Sequence, residues 1–194
     1  MKDTEIEIKV KVEDARLLVE YLDERATFRG EHRQVDEYFT PAHRDFLAAR
    51  PAIEWLRLRD ADGKSSINYK HWYADTEGKM NHCDEYETQV GSVELVRKIF
   101  TALNFRSLVI VDKVRRSWQY RNYEVSIDSV KGLGDFIEVE YKAQAEEPAT
   151  ADPKAITDEM VRWLKNFKCG RVQRNYQGYP FLLLFPNEAK WEEV

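Results

Sequence analysis

The stretch Glu5-Ile6-Glu7-Ile8-Lys9-Val10-Lys11 decides the fold, because charged and β-branched residues alternate in it with a period of two. Such alternation predicts a β-strand that has one apolar face and one charged face. In most half-buried strands the apolar face packs on the core and the charged face meets water. The same strand would also suit a polar cavity, with its apolar face packed outward. This strand alone does not choose between the two interpretations.

The same alternation returns in five later stretches of the chain. These stretches are Leu56–Arg59, Glu85–Glu87, Lys113–Arg115, Glu124–Asp128 and Ile137–Tyr141. Several of them place like charges two residues apart on one face, where they would repel each other on a free surface. Paired carboxylates suit hard cations, and paired cations suit phosphates. We therefore predict a closed sheet whose charged faces line a polar tunnel that holds metal ions and a polyphosphate.

Length and composition bound the class of protein. The 194 residues predict a single domain over 1–194, with a core over about 1–180 and a short C-terminal tail over 181–194. The net charge of −5 gives no overall attraction to nucleic acid or to an anionic membrane, so neither is expected as a partner. With no apolar signal run, no stretch of transmembrane length and two distant cysteines, Cys83 and Cys169, we expect a cytoplasmic protein with reduced thiols.

The hydrophobic pattern predicts about eight strands with three helices between them. The helices are expected over 12–27, 92–104 and 153–167, and the segment 172–185 has no clear assignment. Their predicted apolar stripes are Leu17, Leu18, Tyr21 and Leu22 in the first helix, Leu95, Ile99, Phe100 and Leu103 in the second, and Ile156, Met160, Trp163 and Leu164 in the third. Most connections between strands are hairpins. The pattern therefore predicts an α+β protein with a mainly antiparallel sheet and helices packed on its outside.

Six charged elements follow one another along the chain with the same strand parity. They are Glu5, Glu7 and Lys9; Arg57 and Arg59; Lys70; Glu85 and Glu87; Lys113 and Arg115; and Asp128 followed by the Gly132–Glu140 run that ends in Glu138 and Glu140. In these elements the chain resembles the CYTH family, also called triphosphate tunnel metalloenzymes, over roughly residues 1–142. The resemblance implies an eight-stranded antiparallel β-barrel in which basic residues grip a triphosphate and carboxylates hold Mg²⁺ or Mn²⁺.

The resemblance also implies roles for individual residues. Triphosphate binding is expected of Lys9, Arg57, Arg59, Lys70, Lys113 and Arg115. Of these, Lys9, Lys113 and Arg115 are also the expected catalytic residues. Metal binding is expected of Glu5, Glu7, Glu85, Glu87, Asp128, Glu138 and Glu140. The resemblance further suggests a homodimer, which no sequence feature demonstrates.

Three functions stay open at this point. The run from Lys113 to Glu140 resembles most the class IV adenylyl cyclases, which convert ATP to cyclic AMP and pyrophosphate. The chain begins Met1-Lys2-Asp3-Thr4, without the His-Phe pair that precedes this strand in bacterial cyclases of the class. The alternatives are an inorganic tripolyphosphatase or thiamine triphosphatase, and a non-catalytic module that binds nucleotide or polyphosphate.

Other kinds of site are not indicated by the sequence. The four histidines show no HxH or HExxH spacing, and no GxxxxGK[ST] motif is present, so neither a zinc site nor a P-loop is predicted. A nucleobase would need an aromatic wall. The candidates are Tyr38, Phe39, Trp55, Tyr69 and Trp118, for each of which packing is the simpler role.

Overall fold

Ten strands and four helices make up the part of the chain that the computed structural model describes, residues 6–74, 80–142 and 153–194. The strands are β1 (Ile6–Lys11), β2 (Thr27–Thr40), β3 (Glu54–Ala61), β4 (Lys64–Ala74), β5 (Met80–Gln89), β6 (Arg106–Tyr120), β7 (Tyr123–Val130), β8 (Gly134–Tyr141), β9 (Gln173–Arg174) and β10 (Glu192–Glu193). The helices are α1 (Arg16–Arg25), α2 (Val93–Ala102), α3 (Pro153–Leu164) and α4 (Tyr179–Leu184).

All ten strands belong to one sheet with the order β10-β9-β1-β8-β7-β6-β2-β3-β4-β5. The pairs whose register is established are antiparallel, so the predicted antiparallel α+β class is confirmed. The eight predicted strands are present, and two strands of two residues each extend the sheet at one end. The sequence predicts that the sheet closes into a barrel, and the structure corrects this prediction. The order of the described strands begins at β10 and ends at β5, because β9 pairs with the edge of β1 that β8 leaves open.

The described chain divides into two compact units. The first unit contains His32–Lys113 and Gln177–Ala189, and the second contains 6–31, Val114–Tyr176 and Lys190–Val194. Two long strands, β2 and β6, each pass from one unit to the other along their length.

The core of the second unit lies on the apolar face of β1, β7 and β8. Ile8 and Val10 of β1 are buried there, and the charged residues between them face the other side of the strand. Leu18 and Leu22 of α1 close this core, as do Met160 and Leu164 of α3. Burying a side chain of this size contributes about 1.5–3 kcal/mol. Strand β1 therefore packs its apolar face on this core, as both interpretations of its alternation predict.

One core cluster of the first unit lies under α2. Phe39, Leu58 and Phe100 form it, with Val93 and Val96 packed against them. Of the apolar stripe predicted for this helix, Phe100 is buried as expected, whereas Leu95, Ile99 and Leu103 are 54–62% exposed. Two apolar stripes overlap on α2, and helical periodicity alone does not decide which of them packs on the core.

The boundaries of three segments also differ from expectation. Helix α1 begins at Arg16 rather than near Val12, because the backbone N–H groups of Val12, Glu13 and Asp14 bond to carbonyls of other segments. Strand β2 begins at Thr27, the last residue of the range expected for the first helix. The unassigned C-terminal segment contains α4, whose first turn holds a proline, which suits a helix start.

Both cysteines are buried, and neither forms a disulfide. None of the helices in the described ranges has both the length and the apolarity that a membrane span requires.

Candidate active site

The first unit carries a cluster in which cations outnumber carboxylates, called here the cationic cluster. Its members are Arg57, Arg59, Lys70 and Lys113 with Asp36, Glu85 and Glu87. Except for Lys113, these residues belong to strands β2 to β5. Because side chains alternate along a strand, they lie on one side of the sheet, and Phe39 and Leu58 lie on the other. The side chains therefore share one face because of the period-two pattern in the sequence.

Arg59 is fixed in this cluster by a forked ion pair. Its Nε and Nη2 atoms each donate to one oxygen of Asp36, both at 2.7 Å, across the paired strands β2 and β3. Burial alone would raise the pKa of Asp36, but the bonds from Arg59 and the charges of Arg57, Arg59 and Lys113 outweigh it. The pKa of Asp36 therefore lies below its usual value, and the pair stays ionised. Arg59 serves as a rigid part of the sheet.

Arg57 lies beside this pair but is much less well satisfied. Its Nη1 atom is 3.6 Å from an oxygen of Asp36, and its Nη2 atom is 3.9 Å from an oxygen of Glu87. These distances are too long for good hydrogen bonds. Its Nε is buried and has no hydrogen-bond partner among the described residues. An unsatisfied buried donor costs about 1–3 kcal/mol, so this guanidinium is prepared for an acceptor.

The lysines of the cationic cluster differ in their surroundings. The Nζ atom of Lys70 lies 3.1 Å from Glu85 and 5.8 Å from the centre of the Trp72 ring. Lys113 is buried, and its Nζ lies 5.1 Å from the centre of the Tyr179 ring at the start of α4. A buried ammonium over an aromatic face keeps part of its stabilisation without water.

Glu85 and Glu87 are held by donors from β4. Ser66 donates to Glu87 at 2.6 Å, and the amide of Asn68 donates to Glu85 and, at 3.3 Å, to Glu87. These two predicted metal ligands therefore have oxygens engaged by neutral donors as well as by Lys70.

The second unit carries the opposite arrangement, called here the acidic cluster. It contains Glu7, Glu124, Asp128, Glu138 and Glu140, and the cations paired with them among the described residues are Lys9, Arg115 and Lys142. Three of its carboxylates form a row across the sheet, since Glu7 of β1 and Glu124 of β7 both lie directly opposite Glu140 of β8. Like charges directly opposite each other destabilise a sheet unless a cation neutralises them.

Arg115 is the counterpart of Arg59 in this cluster. Its Nε and Nη2 atoms donate to the two oxygens of Asp128, both at 2.6 Å, and Nη2 also lies 2.8 Å from Glu138. The Asp128 carboxylate has no exposed surface. A carboxylate with both oxygens on one guanidinium serves first to position that guanidinium.

Lys9 is placed between two carboxylates. Its Nζ lies 3.1 Å from Glu138 and 3.6 Å from Glu7. Burial would lower the pKa of Lys9, but the charges of Glu7 and Glu138 outweigh burial and hold the pKa above its usual value. Lys9 is therefore a permanent cation and does not act as a proton donor near neutral pH.

Glu140 lies in the middle of the carboxylate row. Burial raises the pKa of Glu140, and the charges of Glu138 and Glu7 raise it further, while Lys142 at 2.6 Å opposes them. The direction of this shift reports that negative charge here is incompletely neutralised by the protein.

The acidic cluster fits a hard divalent cation by the chemistry of its donors. Carboxylate oxygens are the ligands that Mg²⁺ and Mn²⁺ prefer. No three acidic, histidine or cysteine side chains of the described ranges are gathered at metal distances. Mg²⁺ commonly takes one or two protein carboxylates and completes its shell with water and substrate phosphate.

The structure therefore brings the predicted site residues into two groups. Arg57, Arg59, Lys70, Glu85, Glu87 and Lys113 lie in the first unit, and Glu7, Lys9, Arg115, Asp128, Glu138 and Glu140 lie in the second. Glu5 lies outside the described residues. Asp36 and Glu124 are not among the site residues that the sequence predicts. Both occupy charged positions of alternating strands, so strand parity could have identified them.

Comparison with known proteins identifies the family of this chain. The family model described as the CYTH domain matches residues 3–171. A protein of Methanocaldococcus jannaschii, named a "putative adenylate cyclase", is 37% identical over 137 residues, which cover 70% of this chain and 75% of that protein.

Solved structures share the fold. A protein of Pyrococcus horikoshii superposes with a TM-score of 0.65 at 27% identity, covering 83% of this chain and 88% of its own. The Hippeastrum protein HpAC1, a "putative adenylyl cyclase" that reveals a dominant triphosphatase activity, superposes with a TM-score of 0.64 at 19% identity, covering 94% of this chain and 95% of its own.

Proposed function

The chain belongs to the CYTH domain family, and from this premise we propose that it is a divalent-metal-dependent enzyme that acts on a triphosphate. We propose a class IV adenylyl cyclase as its activity, with hydrolysis of a triphosphate as the second candidate. The M. jannaschii relative's name supports the first, and the activity of the Hippeastrum protein supports the second.

The observation that carries the proposal is the state of Arg57. Its side chain is 11% exposed, its ion pairs are long, and its Nε donor is buried without a partner among the described residues. Guanidinium groups bind phosphate oxygens through two parallel donors. A phosphate oxygen would satisfy Nε and remove a cost that the free protein bears.

The proposed roles follow from how each side chain is held. Arg57, Arg59, Lys70 and Lys113 bind the phosphate oxygens, and the fork from Asp36 keeps Arg59 in place for them. Lys9 and Arg115 offer further positive charge to the phosphates, as expected for residues that stabilise charge developing on a leaving group. Since the pKa of Lys9 is raised, its role is electrostatic.

The carboxylates would hold the metal ion. Glu7 and Glu140 are the first candidates because they face each other across β1 and β8, with Glu124 and Glu138 beside them. Glu5, Glu85, Glu87 and Asp128 stay predicted ligands. When bound, Mg²⁺ or Mn²⁺ offsets phosphate charge and lowers the pKa of the attacking hydroxyl or water.

Product analysis tests the proposal. Purified protein would be incubated with Mg²⁺ or Mn²⁺ and, separately, ATP, tripolyphosphate and thiamine triphosphate, and the products separated and weighed by mass spectrometry. Cyclic AMP with pyrophosphate from ATP is the expected result. An Arg57→Ala variant treated identically controls for contaminating enzymes.

The other outcomes separate the alternatives. Orthophosphate from tripolyphosphate or thiamine triphosphate without cyclic AMP would assign the protein to the hydrolases. Tight binding of a triphosphate without any product would favour a non-catalytic binding module. Failure to bind any of the three would contradict the proposal as a whole.

A further inference from the structure

Trp191, near the C-terminus, lies against the charged face of β1 and β8 in the second unit. The Nζ atom of Lys11 is 5.7 Å from the centre of its ring. Its ring centre is 6.4 Å from that of Phe136, with a tilt of 32° between the planes. Lys11 and Phe136 are paired residues of β1 and β8, on the same alternation as Lys9 and Glu138. Trp191 therefore contacts the β1–β8 pair two residues along each strand from Lys9 and Glu138 of the acidic cluster.

Hydrogen bonds hold the backbone on both sides of Trp191 in place. The carbonyl of Lys190 accepts a bond of 2.7 Å from the Asn175 side chain. On the other side, β10 pairs with β9, and β9 pairs in turn with β1. The N–H of Val194 donates to Val172 at 3.2 Å. The indole is thus held in place by a segment of the sheet edge, and little order has to be created when a ligand binds.

Trp191 is less engaged in packing than the rings that the sequence offered for a base-binding wall. Tyr69 is half-buried as well, but its hydroxyl donates to Glu54 and its ring stacks on Tyr86. Phe39 and Trp118, proposed from sequence as candidates for a base-binding wall, are fully used by the two cores. Tyr38 and Trp55 are buried against each other at 5.6 Å. Trp191 is half-buried, so part of its indole stays open to a ligand.

The distance along β8 from Phe136 to Glu138 suits an organic group attached to a phosphate. Phe136 precedes Glu138 by two residues on the same face, which is about 7 Å along a strand. That separation is comparable to the span of one pentose. A phosphate held by Lys9 and Arg115 would thus place the ring of a nucleoside near the indole.

We infer that Trp191, with Lys11 behind it, is the seat for the nucleobase of a nucleoside triphosphate. The inference rests on the proposed function and adds the group that distinguishes an organic from an inorganic triphosphate. Stacking of a base on an aromatic side chain contributes about 1–3 kcal/mol, or roughly 5- to 150-fold in affinity, and tolerates any base because each has a π face. Lys11 holds the indole from one face by a cation–π contact.

The test compares a ligand that has a base with one that lacks it. Titration calorimetry would measure the binding of ATP and of tripolyphosphate to wild type, Trp191→Ala and Trp191→Phe, each with Mg²⁺. We expect Trp191→Ala to weaken ATP at least about fivefold, Trp191→Phe to weaken it less, and tripolyphosphate to change less than twofold in both. Phe28→Ala removes another exposed ring of the same unit and should change neither.

Each other result overturns the inference. Equal weakening of ATP and tripolyphosphate would mean that Trp191 only supports the fold, and unchanged affinity for both would mean that the base lies elsewhere. If Trp191→Ala does not fold, quenching of tryptophan fluorescence by ATP but not by tripolyphosphate, lost in Trp191→Phe, gives the same decision. Wild-type protein that binds neither ligand would instead contradict the proposed function.

Discussion

The cationic cluster of the first unit and the acidic cluster of the second are built on the same device. Each contains one arginine forked onto a buried aspartate of a neighbouring strand, Arg59 on Asp36 and Arg115 on Asp128. In both cases the aspartate is almost wholly buried, so the arginine is held at a fixed position. The fork is therefore a structural element in each cluster and does not distinguish them.

The clusters differ in the charge left over once the forks are formed. In the first, the Nε donor of Arg57 is buried without a partner in the described part of the chain, whereas in the second the pKa of Glu140 is raised by burial and by neighbouring glutamates. A buried donor without an acceptor favours binding of an anion, and a crowded carboxylate favours binding of a cation. We propose that the same pattern of alternating residues builds an anion site in one cluster and a cation site in the other, because the remaining charge has opposite sign.

The largest expected effect comes from Arg57. Its replacement by alanine should lower kcat/KM for the triphosphate substrate about 10²- to 10³-fold, the cost of losing a donor aimed at developing negative charge. Arg57→Lys keeps the charge and loses the forked donors, so it should recover only part of the rate. Steady-state kinetics on both variants checks this. If the alanine variant were as active as wild type, the proposal that Arg57 binds the phosphate would be contradicted.

The two forks should matter mainly for stability. Asp36→Asn and Asp128→Asn each leave a buried guanidinium without its counter-charge, and breaking such a pair costs about 3–5 kcal/mol. Urea unfolding at pH 7 would measure the loss. Glu94→Gln, at an exposed pair with Lys98, is the matched control and should change stability by less than about 0.5 kcal/mol. A small loss in either aspartate variant would show that the forks are not structural.

The acidic cluster should respond through the metal. Glu7→Gln removes a carboxylate of the row and should weaken Mn²⁺ binding at least about tenfold, the lower end of the loss seen when even supporting groups of a metal site are removed. Electron paramagnetic resonance of free Mn²⁺ gives the affinity without any turnover. Glu24→Gln, on the exposed side of α1, serves as the control. Unchanged Mn²⁺ affinity in Glu7→Gln would place the metal away from this row.

A smaller effect is expected from acid. Because the pKa of Asp36 is lowered in the folded protein, its contribution to stability is complete above the unfolded value of about 3.9 and is lost as the pH falls through the folded pKa. The difference in unfolding free energy between wild type and Asp36→Asn should therefore be constant from pH 7 to 5 and shrink below about pH 4. A difference independent of pH over the same range would contradict this assignment.

Much of the site could be predicted from parity alone. Alternation assigns Glu7, Lys9, Arg57 and Arg59 to charged faces, because successive side chains of a strand point to opposite sides. The partners could not be predicted, since they depend on which strands pair and in which register. Thus Asp128, expected as a metal ligand, is found with both oxygens on Arg115, thirteen residues earlier in the chain.

The helices were harder to predict than the strands. On α2, Val93, Val96 and Phe100 pack on the core while Leu95 and Ile99 are exposed, and only tertiary packing decides between two stripes of similar hydrophobicity. The C-terminal segment gave no periodic signal because α4 has only six residues and β9 and β10 have two each. The position of Trp191 follows from these short elements and is visible only in the structure.

Measuring anion binding and metal binding separately tests whether the cationic cluster binds phosphate and the acidic cluster binds the metal. Calorimetry would measure tripolyphosphate binding in the presence of a chelator, and Mn²⁺ binding in the absence of phosphate, for wild type, Arg57→Ala and Glu7→Gln. We expect Arg57→Ala to lose its affinity for tripolyphosphate and to retain that for Mn²⁺. We expect Glu7→Gln to lose its affinity for Mn²⁺ and to retain that for tripolyphosphate. If each variant lost both ligands, or neither, the division of labour between the cationic and the acidic cluster would be contradicted.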